Sequence, residues 1–168
     1  MTRLAIEEFR MRDNGERLEF SLRIRNDEDR TLHMIAAPRG YEWDAATRRF
    51  TVKLHDTPLD PASRVQVALF VPPTFKELEP GRVTEVSFTV PRVLKTADAS
   101  GAVVVWPVWN ALEVRVAFAV SDTPLYPVVD EARRASGLAA PLQLAAASAA
   151  WGERVEISAP ARASLETH

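Results

Sequence analysis

The stretch 112–120, LEVRVAFAV, places Leu112, Val114, Val116, Phe118 and Val120 on every second residue. A period of two puts all five side chains on one side of an extended chain, the mark of a strand with one face in a core. RLEFSLRIRND repeats the pattern, with Leu18, Phe20, Leu22 and Ile24 against Glu19, Ser21, Arg23 and Arg25. Shorter runs follow: Phe50, Val52 and Leu54; Val65, Val67 and Leu69; Val86, Phe88 and Val90. Turn-formers separate them, among them Thr57-Pro58, Pro72-Pro73, Pro80-Gly81 and Ser100-Gly101. Many short strands punctuated in this way predict an all-β, antiparallel sandwich over residues 1–121. At the start, Leu4 and Ile6 are out of phase with Phe9 and Met11, which predicts a bulge near Glu7–Glu8. Asp13-Asn14-Gly15 then predicts a hairpin.

After residue 121 the chain turns alanine-rich. Asp130–Ser136 reads as a short helix, and Pro141–Trp151 as a second, with Pro near its start and Gly152 just past its end. The segment 122–168 is therefore expected to form a partly helical C-terminal arm, packing on the sandwich or on a neighbouring subunit. The reverse face of the 112–120 strand carries Ala117 and Ala119, small enough for Leu142, Leu144 and Trp151 to lie close.

A chain of 168 residues, 46% hydrophobic and 26% charged, can bury a real core. Its net charge of −2 gives no broad pull toward nucleic acid or an anionic membrane, and neither is expected as a partner. The absence of cysteine excludes disulfides and thiolate metal sites and suits a reducing compartment. MTRLAIEEFR has acidic residues where a signal peptide needs an apolar run, and no apolar run is long enough for a membrane span. A cytoplasmic location is the expectation.

Chemistry is hard to find. His33, His55 and His168 make neither HxH nor HExxH, and His55 reads as a surface residue at a strand end. No G-x-S-x-G elbow and no phosphate-cradling glycine loop occurs. Asp27, Glu28 and Asp29 form an acidic turn whose spacing fits no EF-hand. Arg48-Arg49 and Arg133-Arg134 are pairs within mixed-charge surroundings, read as solvated faces. No catalytic set, metal or cofactor is expected.

The aromatics remain. Tyr41 and Trp43 share one face of an extended GYEW, and Trp106 and Trp109 flank Pro107-Val108. Trp106 keeps phase with Val104 and Val108 and is expected in the core, on a central strand covered on both faces. Trp109, beside a turn at Asn110-Ala111, is expected to be partly exposed. Tyr41, Trp43 and Trp109 are the candidate binding residues, since large aromatics anchor proteins or stack on sugars.

Leu78, Pro80, Gly81, Val86 and Phe88 follow an L-x-PG-x-x-x-x-V-x-F rhythm. With the strands around it, over residues 4–120, the chain resembles immunoglobulin-like domains of bacteria. Cysteine-free intracellular members of that class include the BsuPI-type proteinase inhibitors, although here the tryptophan pair follows the PG turn instead of preceding it. The resemblance implies an immunoglobulin-like sandwich and leaves function open. The functional expectation is a non-enzymatic protein–protein interaction or assembly module, with self-association through the arm as one form of it. The alternatives are a carbohydrate or small-molecule binder using the aromatics, and a proteinase-inhibitor-like domain.

Overall fold

The computed structural model describes residues 2–58, 73–125, 130–131, 134 and 140–160. Eleven strands and one α-helix are defined among them: β1 (Leu4–Asp13), β2 (Arg17–Asn26), β3 (Leu32–Ile35), β4 (Gly40–Asp44), β5 (Arg49–Leu54), β6 (Phe75–Leu78), β7 (Val83–Pro91), β8 (Leu94–Ala97), β9 (Val103–Trp106), β10 (Glu113–Ser121), α1 (Ala140–Ala150) and β11 (Glu153–Pro160). The fold class is all-β. The expected strand at Val65–Leu69, most of the helix at Asp130–Ser136 and the side chain of Leu142 lie outside the described residues. Asp130, Glu131 and Arg134 are helical.

The first sheet, β1-β2-β7, is antiparallel throughout. The Asp13–Gly15 turn closes its hairpin: Gly15 takes a positive φ, and the Asn14 side-chain oxygen accepts the Arg17 N–H at 2.8 Å. The register of β1 slips between Ile6 and Glu8, which returns Phe9 and Met11 to the buried face opposite Leu22 and Phe20. Phe20 in turn pairs with Phe88, and their rings stack at 5.1 Å.

The second sheet runs β4-β5-β10-β3-β6, with β11 also paired to β10. Val120 pairs with both Met34 and Glu153, and Val114 with both Phe50 and Ala159. A strand residue has one neighbour on each side, so β11 takes one edge of β10 while β5 and β3 share the other. The β5–β10 pairing is parallel, which departs from the antiparallel expectation. Alternation tells a strand which face to bury and is silent about the direction of its neighbour. Leu18, Phe20, Leu22 and Ile24 of the first sheet join Phe50, Val52, Val114, Val116 and Phe118 of the second in one core between the sheets.

The turn at Pro80-Gly81 carries the chain from β6 in the second sheet to β7 in the first. It is held by Asn26, a fully buried amide at the end of β2. Its Nδ2 donates to the carbonyls of Leu78 and Arg30, both at 2.8 Å, and its Oδ1 accepts the Glu28 N–H. Its backbone carbonyl accepts the Gly81 N–H at 2.8 Å.

On the far face of the second sheet, Ile35, Ala119, Leu125, Leu144 and Trp151 form a second buried cluster, with Phe75 against it. Ala119 is small enough to admit the indole. A polar latch ties the same region together. Arg39 grips Asp56 through Nε at 2.8 Å and Nη2 at 3.1 Å, and the buried Ser148 hydroxyl of α1 donates to Asp56 Oδ2 at 2.5 Å. Arg154 donates to the carbonyls of Ala149 and Trp151, closing the C-terminal end of α1, where cations suit the helix dipole.

Gly152 turns the chain from α1 into β11 at a φ of 78°. A Cβ built there would stand 2.8 Å from the Val120 carbonyl oxygen, a backbone atom that cannot step aside. Gly152→Ala is therefore expected to lose about 2 kcal/mol, read from the shift in a urea-unfolding midpoint. An unchanged midpoint would show that the α1–β11 junction is looser than its geometry.

Candidate functional site

The outer face of the second sheet begins with the residues that alternate with its core positions. Arg49, Thr51 and Lys53 on β5 point away from Phe50, Val52 and Leu54, as Glu113, Arg115 and Ala117 do from Val114, Val116 and Phe118. Parallel register sets Glu113 beside Arg49. One oxygen of Glu113 takes Arg49 Nε at 3.0 Å, and the other takes Arg115 Nε at 2.8 Å. Arg115 reaches on to Glu156 of β11 at 3.2 Å, and Lys53 meets Glu42 of β4 at 2.5 Å. The hydrogen bond from Arg115, followed by that from Arg49, holds the Glu113 carboxyl below its ordinary pKa. Arg49, Glu113, Arg115 and Glu156 form one connected lattice across β5, β10 and β11, where Arg48-Arg49 had been expected on a solvated face.

A concavity of about 550 Å³ opens over this lattice and is bordered by β4 and by Trp106, together with Lys53, Arg115 and Glu156. Tyr41 and Trp43, paired with Val52 and Phe50, stand on the core side of β4. Each aromatic is half-buried and also packs against the main core. Tyr41 stacks on Phe50 at 5.7 Å. His55 lies on the same rim; burial, above all, lowers its pKa, and its Nδ1 faces the Asp56 carbonyl at 2.9 Å.

Trp106 thus differs from its expected place. It ends β9, which among the described residues pairs with β8 alone, in a separate two-stranded sheet, and is not a central strand covered on both faces. Pro107 has no N–H to extend the ladder, and the chain enters a short 3₁₀ turn over Val108–Asn110. Val104 and Trp106 face inward, while Val103 and Val105 are 71% and 51% exposed.

Trp109 sits in that turn, 46% exposed. Its N–H donates to the Arg92 carbonyl at 3.1 Å, and the Arg92 guanidinium lies 5.8 Å from its ring centre. It is not among the residues lining the concavity, so the structure brings Tyr41 and Trp43 together with Trp106 and leaves Trp109 on a different surface.

The nearest approach to a nucleophile set is Ser148, Asp56 and His55. Ser148 is fully buried and donates its hydroxyl hydrogen bond to Asp56, and His55 turns to a backbone carbonyl, so the group functions as a structural latch. Among the described residues, no group of three or more His, Asp or Glu side chains is placed to hold a metal ion, and no helix is long and apolar enough to cross a membrane.

No signal in the sequence marks the roles of Asn26 and Arg39, and the Arg49–Glu113–Arg115 lattice also went unread. For the lattice a signal did exist, in the polar phase of strands whose apolar phase was plain. No family model, curated protein or solved structure matches the chain.

Proposed function

We propose that the protein is a non-enzymatic interaction module whose contact surface is the outward face of the β8–β9 ribbon and the turn beside it. One observation carries this reading. Of the six large hydrophobics exposed among the described residues, five (Val93, Val103, Val105, Trp109 and Leu112) fall within residues 93–112. Single exposed apolar side chains are ordinary, whereas several in one short segment, with Val103 and Val105 on the same outward face of β9, favour a contact site. Trp109 beside Arg92 supplies the aromatic and arginine pairing that anchors many interfaces. The occupant we favour is a different protein with an apolar patch of its own.

An immunoglobulin-like reading of the scaffold belongs to the same proposal. Its support is two packed sheets joined by a PG turn, with Leu78, Val86 and Phe88 all buried. So does the division into a sandwich and an arm over 122–168, supported by the packing of Leu144 and Trp151 on Ala119. The proteinase-inhibitor reading rests on the sequence resemblance alone, and the cytoplasmic location on cysteine-free composition.

Val105→Asp and Trp109→Ala should each change stability by less than about 0.5 kcal/mol, because both residues are exposed. Both should abolish capture of a specific protein that the wild-type chain retains from cells of its source. Capture undiminished in both variants would remove the ribbon as the contact surface. A dimer seen by light scattering and dissolved by Val105→Asp would replace the foreign partner with a second copy.

A further inference from the structure

The β8–β9 ribbon has an open edge as well as an exposed face. Resting on the ribbon as the contact surface, we propose that an extended segment of another protein adds to β9 as a third strand. Its apolar side chains alternate along the exposed face, and it carries a carboxylate toward Lys95.

The hydrogen-bond phase of the ribbon decides which backbone groups are open. Asp98 and Ala102 close the hairpin, with the Asp98 N–H donating to the Ala102 carbonyl at 2.9 Å. In an antiparallel ladder such pairs alternate with unbonded ones, so Thr96–Val104 and Leu94–Trp106 are the bonded pairs. Val103 and Val105 therefore turn their N–H and C=O groups away from β8. No hydrogen bond reaches those groups among the described residues, and the two valines are 71% and 51% exposed. A row of unpaired peptide groups is the template on which a strand adds.

Side chains set this edge apart from the others. Among the described residues every other edge strand carries charge: Arg10 on β1, Glu42 on β4, Lys76 on β6, Glu85 on β7, Lys95 on β8 and Glu156 on β11. Charge is the usual guard against strand addition. The sequence of β9 is VVVW, with no charge, no proline and no slip in its register. Across the ribbon Val105 pairs with Lys95, which therefore shares the exposed face and has no carboxylate within salt-bridge distance among the described residues. An acidic residue in the added strand completes that face. A second copy of this chain brings no carboxylate on β9 to the same place, which favours a foreign strand. The four residues of β9 keep the contact short and its affinity modest.

The test titrates the isotope-labelled full chain with a blocked peptide of alternating valine and threonine bearing one glutamate, read by amide NMR. Binding should slow hydrogen exchange at Val103 and Val105, while Val104 and Trp106, already bonded to β8, keep their rates. The same peptide N-methylated throughout should not bind, and lysine in place of the glutamate should weaken binding by about threefold or more. Val105→Pro, which removes one edge N–H, should weaken it by about tenfold, whereas Val105→Thr should leave it nearly unchanged. The proposal is overturned if the glutamate peptide fails to saturate at millimolar concentration, if the N-methylated peptide binds equally, or if the lysine peptide binds better. It also falls if exchange at Val103 and Val105 is unaltered in the complex. Exchange that slows in the chain alone as a dimer forms overturns it too, because the occupant is then a second copy. Failure of strand addition is distinct from failure of the ribbon face. If Val105→Asp and Trp109→Ala abolish capture of the cellular partner while Val105→Pro, folded by circular dichroism, leaves it intact, the face stands and strand addition falls.

Discussion

Trp151→Ala should cost about 3–5 kcal/mol, the usual range for truncating a buried large aromatic. Its indole is buried among Ile35, Ala119, Leu125 and Leu144, with Phe75 edge-on at 6.2 Å. Its Nε1–H donates to the Thr123 carbonyl at 2.9 Å. Removing the ring opens a cavity between α1 and the second sheet and also strips that carbonyl of its partner. Trp151→Phe should lose less, since a ring remains and chiefly the hydrogen bond is missing, worth about 1 kcal/mol. Urea unfolding followed by circular dichroism measures both, with exposed Trp109→Ala as the control. Equal midpoints for Trp151→Ala and wild type would mean that the helix contributes nothing to the stability of the sheet it covers.

Asn26→Ala should cost about 3 kcal/mol, from the buried Leu78 carbonyl and the partly buried Arg30 carbonyl and Glu28 N–H that lose their partner. Asn26→Asp is the sharper experiment. It keeps the shape and the acceptor, yet sets a carboxylate against the Leu78 and Arg30 carbonyl oxygens that the amide had served as donor. It should be at least as damaging as alanine at neutral pH, and stability should partly return as acidification protonates the new carboxyl. A pH-independent Asn26→Asp variant, as stable as wild type, would show that the Pro80-Gly81 turn does not depend on this amide.

Much of the first sheet was legible because its strands are half-buried and antiparallel. Leu18–Ile24 and Val86–Val90 show their faces by alternation, Asp13–Gly15 shows the turn, and the mismatch of Ile6 with Phe9 shows the bulge. Gly152 announced the end of α1 for an equally local reason, a positive φ that side chains resist. The second sheet was harder. Its strands β3, β4 and β6 have four or five residues each, too few to display a period, and β10 finds β5 by a parallel pairing that no local pattern encodes. The candidate site suffered the same way. Tyr41, Trp43 and Trp106 stand out singly, but only the pairing of strands shows which side of the second sheet Tyr41 and Trp43 take, and only the β5–β10 register turns Arg49, Glu113 and Arg115 into a lattice. Asn26 reads as one more polar residue at a strand end until the turn that closes over it is in place.

The position of β10 carries a kinetic consequence. The second sheet is built around residues 113–121, which must find 49–54 and 32–35 on one side and 153–160 on the other. Closing such distant loops precedes any reward from the contacts, and this slows folding. On the ribosome the β4–β5 hairpin emerges early and must wait, with the core side of Phe50 and Val52 uncovered, until the strand that completes it has been made. During that interval the nascent chain presents an unpaired edge and an apolar face, the state in which chaperones and aggregation compete for it.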